Sequence, residues 1–511
     1  MKKQKIALID IGSNSIRLVI FHLDESGYYR EIQNLKVVAR LSSHINDEGD
    51  LTNKGLHVLL TTLQKFQEIT RTYELSKVKC VATAAIRQAK NQREILTTVT
   101  KMTDFTIRVL SEYEEAFFGY LAVTNSTSIQ DGITIDIGGG STEVTLFKDR
   151  KLLHYHSFPF GAISLKKKFI NSEIPTLQEL LKLRLFLTEQ FQSLQWLNQE
   201  EIPVVGIGGS ARNLSLINQK KTNYALSGLH QYVMHYENLK EITNHLNQLT
   251  VKERQSTDGL TKDRADIIIP AAEAITTLME VSGGKTFIMS NKGLRDGLFY
   301  EEVFKQLNID FFPSVAEESF FQLTRDYEIN IDQVKYLSKL AAQLFYELKG
   351  IFKHDLIGED LRLLHLSSRV LYLGECISHE ASSQHTFYLL TNLSIDGLTH
   401  VERLKIALIA SFKSRGSLQT YAKPYEDWFS KNEFEKIELL GAILKFTYSL
   451  NRTKREVFSV LKITEMSEEK INLKLIFNKE PYFEENQAQK YKKPLEKILK
   501  KRIELHFSNE N

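Results

Sequence analysis

The chain has 511 residues, 42% hydrophobic and 25% charged, which allows two to four folded domains with the balance of a globular protein. Its 66 basic and 63 acidic side chains leave a formal charge of +3, too small to mark a nucleic-acid binder. The apolar run after Met1–Lys5 is too short for a signal peptide, and the best candidate for a membrane span, Asp266–Val281, is broken by Pro270, Glu273 and Glu280. No membrane segment is therefore expected. The two cysteines, Cys80 and Cys376, lack metal-like spacing and are expected as buried apolar residues in a reducing cytosol.

In chain order, Lys5–Phe21 reads as two short strands joined by a small polar turn, Asp10-Ile11-Gly12-Ser13-Asn14-Ser15. Glu31–Leu41 predicts another strand. From Thr52 a helical stripe follows through Leu56, Leu59, Leu60, Leu63 and Phe66. Val78–Thr83 predicts a buried strand, and Arg87 stands just past its C-terminal end, where open α/β sheets place ligands. After a strand at Phe105–Leu110, Ser111 is a candidate N-cap for a helix whose first turn holds Glu112, Glu114 and Glu115.

Ile133–Phe147 then repeats the opening pattern. Two strand-like runs flank Gly138, Gly139, Gly140, Ser141 and Thr142, and Asp136 closes the first strand as Asp10 does. Successive glycines are expected to take positive φ and to turn their N–H groups into an anion-binding hollow. A carboxylate beside such a hollow would repel phosphate unless a cation lay between them. The repeat predicts two similar halves whose turns face one cleft. Lys151–Phe158 predicts a strand and Leu177–Leu197 a long helix. Pro203–Asn213 reads as a strand feeding a third glycine turn at Gly208, Gly209 and Ser210, and Lys285–Met289 as a strand before Gly293–Gly297.

Past Pro313 the pattern turns helical. Val334, Leu337, Leu340, Ala341, Leu344, Phe345 and Leu348 form one stripe, and helices are predicted over Leu361–Ile377, Ser382–Leu393, His400–Phe412 and Glu433–Leu450. Strands are predicted at Val457–Ile463 and Lys470–Phe477, a helix at Lys492–Lys501, and a last strand around His506. Basic runs at Lys166–Lys168 and from Lys490 to Arg502 read as solvated faces or as lining for a polyanion.

In this order, the motifs Asp10–Ser15, Ala82–Arg87, Ser111–Ala116, Asp136–Glu143, Gly206–Asn213 and Gly293–Gly297 resemble those of the exopolyphosphatase/guanosine pentaphosphate phosphohydrolase (Ppx/GppA) family over nearly the whole chain. The resemblance implies an α/β fold: two actin-like (ribonuclease H-like) halves facing a cleft, a mainly helical HD-like domain, and a small α+β C-terminal unit. The corresponding boundaries are residues 1–125, 126–305, 306–450 and 451–511. It implies hydrolysis of the terminal phosphate of inorganic polyphosphate, or of guanosine pentaphosphate, with Mg2+ and water, in a cytoplasmic homodimer. An actin-like ATPase or sugar kinase is the reading from another class.

Carried onto this sequence, Ser13, Asn14, Ser15, Gly138, Gly139, Gly140, Ser141, Thr142, Gly208, Gly209 and Ser210 would bind phosphate. Asp136 and Glu143 would hold the metal, and Arg87 would neutralise the terminal phosphoryl group. Glu115 would be the base, with Glu114 as the alternative, its pKa raised with help from Glu112 and Glu114. The HD-like domain would be non-catalytic. Val370–Gly374 lacks a His-Asp pair, and His379 and His385 alone do not restore one.

Overall fold

The computed structural model describes residues 3–198 and 201–510. The chain forms two compact units, one of Met1–Tyr224 with Leu229–Val315 and one of Ala225–Gly228 with Ala316–Asn511. In the first unit, the strands are β1 (Lys3–Ile11), β2 (Ser15–Asp24), β3 (Tyr29–Val38), β4 (Lys77–Ala82) and β5 (Ile107–Val109), then β6 (Gly132–Ile137), β7 (Thr142–Lys148), β8 (Lys151–Phe158), β9 (Val204–Ile207), β10 (Tyr232–His235) and β11 (Thr286–Met289). They make two sheets, ordered β3-β2-β1-β4-β5 and β10-β11-β9-β6-β7-β8.

The sheets are the same motif twice. Each begins with an antiparallel meander, β1-β2-β3 or β6-β7-β8, and continues with two parallel strands beside its first member, to which the second sheet adds β10, antiparallel to β11, at its edge. The predicted two-half repeat is thus present as topology as well as sequence. The C-terminal ends of the parallel strands point the motifs the same way, so the loops after Ile11, Ala82, Ile137 and Ile207 collect at one edge.

The two halves have separate cores, one around Ile9, Leu18 and Leu63 and one around Ile135, Leu187 and Ile275. A third apolar cluster, containing Leu8, Phe118, Phe147, Val205 and Leu298, packs between them. The helices Glu112–Thr124 and Leu294–Leu307 cross within it. At that crossing a Cβ on Gly297 would lie 2.0 Å from the Phe118 carbonyl oxygen, so only glycine lets the backbones approach so closely.

The second unit is helical and ends in a three-stranded sheet of β12 (Phe458–Met466), β13 (Lys470–Phe477) and β14 (Arg502–Asn509). The helix Ile331–Leu348 buries the predicted leucine-phenylalanine stripe. Leu361–Ile377 is not one helix, however. The helix ends at Arg369, Tyr372 takes a left-handed φ of 51°, and Leu373–Cys376 forms a short turn. Gly374 explains the break: its N–H donates to Thr386 Oγ1 at 2.8 Å, and a Cβ there would sit 2.4 Å from the Thr386 nitrogen.

Two further expectations change, and the one on Asp266–Val281 holds. Cys80 is buried but Cys376 is exposed, because it falls in that turn and not on a helix face. The stretch around Asp266–Val281 is the buried helix Ile268–Ser282, whose apolar residues surround it and so leave no periodic stripe to read. The third glycine turn is not a loop, since β9 runs directly into the helix Gly208–Lys221. Among the described residues no helix is long and apolar enough to cross a membrane.

Candidate active site

The two repeated turns are superimposable in their hydrogen bonding. Gly12 N–H donates to Ser15 O at 3.1 Å, and Gly138 N–H donates to Ser141 O at 3.0 Å. Their glycines are needed for space rather than for positive φ, which Gly12, Gly138, Gly139 and Gly140 do not have. A Cβ on Gly139 would meet Ser13 Cβ and the Ile163 side chain at 3.0 Å, and one on Gly140 would meet Ser13 Oγ at 3.6 Å. The turns therefore touch across the cleft. Gly208 does need positive φ, at +82°, and a Cβ there would lie 2.6 Å from Asp136 Oδ1.

Between the turns lies a cavity of about 250 Å³. Ser13, Asn14, Ser15, Gly138, Gly139, Ser141, Gly208 and Gly209 line it, together with Glu115, Asp136 and Glu143. Asn14 Nδ2 is buried and has no hydrogen-bond acceptor. Four of the residues singled out from the sequence do not line the cavity. Gly140 backs the turn against Ser13, Thr142 donates its hydroxyl to the Phe160 carbonyl at 2.7 Å, and Ser210 Oγ accepts from Arg264 Nη1 at 3.2 Å. Arg87 stands behind Glu115, ion-paired to it and donating to the Leu110 carbonyl at 3.1 Å.

Register explains the acidic corner. In the second hairpin Asp136 pairs directly with Glu143, so two carboxylates share one face of neighbouring strands. Burial, then the opposing effects of Arg264 and Asp10, leave Asp136 raised to about 6. Glu143, which accepts from Ser157 Oγ at 2.9 Å, is pushed well above the usual range by burial and by Glu115 and Asp136. Glu115 is raised to about 7, first by burial; Arg87 opposes this and Asp136 and Asp10 reinforce it. The reinforcing carboxylates come from the two hairpins, not from Glu112 and Glu114. Glu114 instead completes the capping box with Ser111 and pairs with Arg108, away from the cavity.

These side chains fit a divalent cation. Asp136 and Glu143 are paired like charges, and Asp10 Oδ1 is buried without a partner. Among the described residues no three His, Cys, Asp or Glu side chains converge into a ready-made cage. Mg2+ keeps much of its water and takes one or two carboxylates plus phosphate oxygens, a number that Asp136 and Glu143 could supply.

Facing the acidic corner are Arg17, Lys36, Arg212, Arg264, Lys292 and Arg295. Arg295 pairs with Asp10 at 2.8 Å, while burial and then the charge of Arg295 lower the pKa of both Arg17 and Arg212. Lys36 pairs with Asp263 at 3.3 Å and Lys292 with Asp296 at 3.6 Å, so three of the six cations have carboxylate partners. None of the six was singled out from the sequence. Arg212 and Arg295 stand inside recognised motifs, and Arg17 is placed by hairpin register opposite Asp10. Arg264 carries no local signal and arrives from a loop remote in sequence.

The duplicated hairpins, their facing turns and the common strand edge define an actin-like α/β protein with a cleft lined by carboxylates and cations. The model of the Ppx/GppA phosphatase family matches residues 19–306, and that of Ppx/GppA phosphatase domain III matches residues 315–496. The chain belongs to the Ppx/GppA phosphatase family. A solved family member from Aquifex aeolicus is 26% identical, with 60% of this chain and 99% of that one covered at a TM-score of 0.53. An exopolyphosphatase from Cytophaga hutchinsonii has the same fold at 21% identity, covering 59% and 98% at a TM-score of 0.55.

Proposed function

We propose that the chain is an exopolyphosphatase that removes the terminal phosphate of inorganic polyphosphate with Mg2+ and water. The observation that carries this reading is the composition of the cavity wall: six cations, four of them arginines, and no aromatic side chain among the described residues lining it. A chain of repeated anions meets a partner at every step there, whereas a guanine ring meets no stacking surface.

In this reading Glu115 takes a proton from water as the water oxygen attacks the terminal phosphorus. The bond from that phosphorus to the bridging oxygen breaks, and the shortened chain leaves carrying that oxygen. Arg87 is a positioning residue that holds the Glu115 carboxylate in place. The turn N–H groups and Asn14 Nδ2 hold equatorial oxygens, and Arg17, Arg212, Arg264 and Arg295 offset the charge of the chain. Asp136 and Glu143 would hold Mg2+, which when bound neutralises the phosphoryl oxygens near the acidic corner. A carboxyl raised toward neutrality is suited to proton transfer near physiological pH. Assembly as a cytoplasmic homodimer is part of the same proposal, and sedimentation of the purified chain tests the dimer.

Side-by-side phosphate release from long-chain polyphosphate and from guanosine pentaphosphate tests the substrate. A higher kcat/KM on polyphosphate is expected; a higher value on guanosine pentaphosphate would overturn the choice.

A further inference from the structure

The second unit contains two adjoining cavities that the hydrolytic site does not use. One, of about 330 Å³, sets aromatic and aliphatic side chains such as Tyr327, Val334, Leu337 and Leu371 beside polar ones that include Arg369 and Lys454. The other, of about 300 Å³, is polar and holds Lys413 and Lys445 beside Tyr491. They share Tyr372, Glu375, Tyr448 and Arg452, so a single ligand can occupy both.

The polar cavity sets three cations, Lys413, Lys445 and Arg452, against two carboxylates, Glu375 and Glu380. Neither Arg452 nor the Lys413 ammonium makes an ion pair among the described residues, and the Lys445 ammonium is half-buried over the Tyr491 ring at 5.1 Å. Lys490 lies on the same ring at 5.5 Å. Burial, then the charges of Lys413 and Lys490, lower the pKa of Lys445. Tyr448 packs edge-on against Tyr372 at 5.1 Å and donates to Glu375 Oε1 at 3.3 Å. Tyr372 itself holds the left-handed φ of 51°, an unusual conformation for a bulky residue, at the wall between the cavities.

We infer that this pair of cavities is a nucleoside phosphate site, with the ring in the aromatic cavity and the phosphate on Lys413, Lys445 and Arg452. The shape calls for a planar, largely apolar body carrying an anion at one end. Tyrosine and leucine walls accept a heterocycle, and the Glu375 carboxylate at the junction can accept from an exocyclic amine. The three cations match a phosphate or diphosphate by charge and hydrogen bonding. A bare anion would leave the larger cavity unfilled. This site is independent of the hydrolytic reading of the first unit.

Calorimetric titration of the full chain with ADP, AMP and pyrophosphate tests it. ADP is expected to bind the wild type and the cleft variant Arg264→Ala equally. Its affinity should fall by about tenfold or more in Arg452→Ser, a surface change that leaves packing alone, and again in Lys445→Met. Leu337→Lys, which fills the aromatic cavity, should weaken ADP but not pyrophosphate. Binding that is lost in Arg264→Ala and kept in Arg452→Ser would assign the nucleotide to the hydrolytic cleft and overturn the inference. Pyrophosphate that binds as tightly as ADP in Arg264→Ala and loses that affinity in Arg452→Ser would reduce the site to an anion hollow and overturn it equally.

Discussion

Replacing Glu115 with Gln keeps the shape of the side chain and its acceptor oxygen for Arg87 while removing the group that can take a proton. Lifting this carboxyl from 4.5 to about 7 means that ionising it in the fold costs about 3 kcal/mol more than in water. The sign follows from linkage. Between those two values the folded chain holds a proton that the unfolded chain has lost, so stability is greatest below 4.5 and declines as pH rises through about 7. In metal-free protein, Glu115→Gln should therefore match wild-type melting in acid and melt higher above neutrality. Turnover should fall by about 10²–10⁴-fold, the usual contribution of a general base. The wild-type rate should rise with pH as Glu115 ionises, with Mg2+ on Asp136 and Glu143 drawing that limb below the metal-free value of about 7, and the residual rate of the variant should lose it. Steady-state phosphate release and calorimetric melting across pH measure both effects. Turnover within about threefold of wild type would refute Glu115 as the base, since so small a loss is below any general-base contribution.

Other perturbations test separate parts of the site. Gly208→Ala places a side chain at φ +82° and 2.6 Å from Asp136 Oδ1, so it should lower stability by about 1–2 kcal/mol in urea unfolding and raise the Mg2+ needed for activity. Gly297→Ala meets the Phe118 carbonyl at 2.0 Å and should destabilise the first unit by about 1–3 kcal/mol, read as a lower unfolding midpoint. Arg264→Ala, which removes the guanidinium lying against Gly209, should raise KM for polyphosphate more than it lowers kcat. Chelation of divalent cations should abolish turnover. Added Mg2+ should raise the melting temperature more at pH of about 8 than at about 5.5, because the raised carboxyls of Asp136 and Glu143 must lose protons to bind it.

What could be read from the chain was whatever its local chemistry repeats. Asp-Ile-Gly at Asp10 and again at Asp136 announced the duplicated hairpins, and Ser111 with Glu114 announced the helix start. Helices were legible where apolar residues recur on one face, as in Ile331–Leu348 of the second unit, and illegible where burial is all round, as in Ile268–Ser282 of the first. The glycines were read for the wrong property: crowding between the turns, not backbone handedness, excludes a side chain from Gly139. The cationic wall escaped because its members come from two strands of the first meander, a short turn at Lys262–Arg264, one loop and two helix starts, and only the folded sheets bring them together.

The two hairpins share a backbone but not a partner for their aspartate. Asp10 is registered opposite Arg17, and Asp136 opposite Glu143. A polyphosphate chain has identical ends, and a duplicated cleft with identical halves would hold it equally well either way round. For the proposed substrate, exchanging one arginine for one glutamate at equivalent positions would give the cleft a head and a tail. Under the proposed reaction, a terminus is drawn to the corner where cation and water meet it, and the rest of the chain is left on arginine. Removal of one phosphate at a time from an end would then be a property of register, set by which residue stands across the strand from each aspartate.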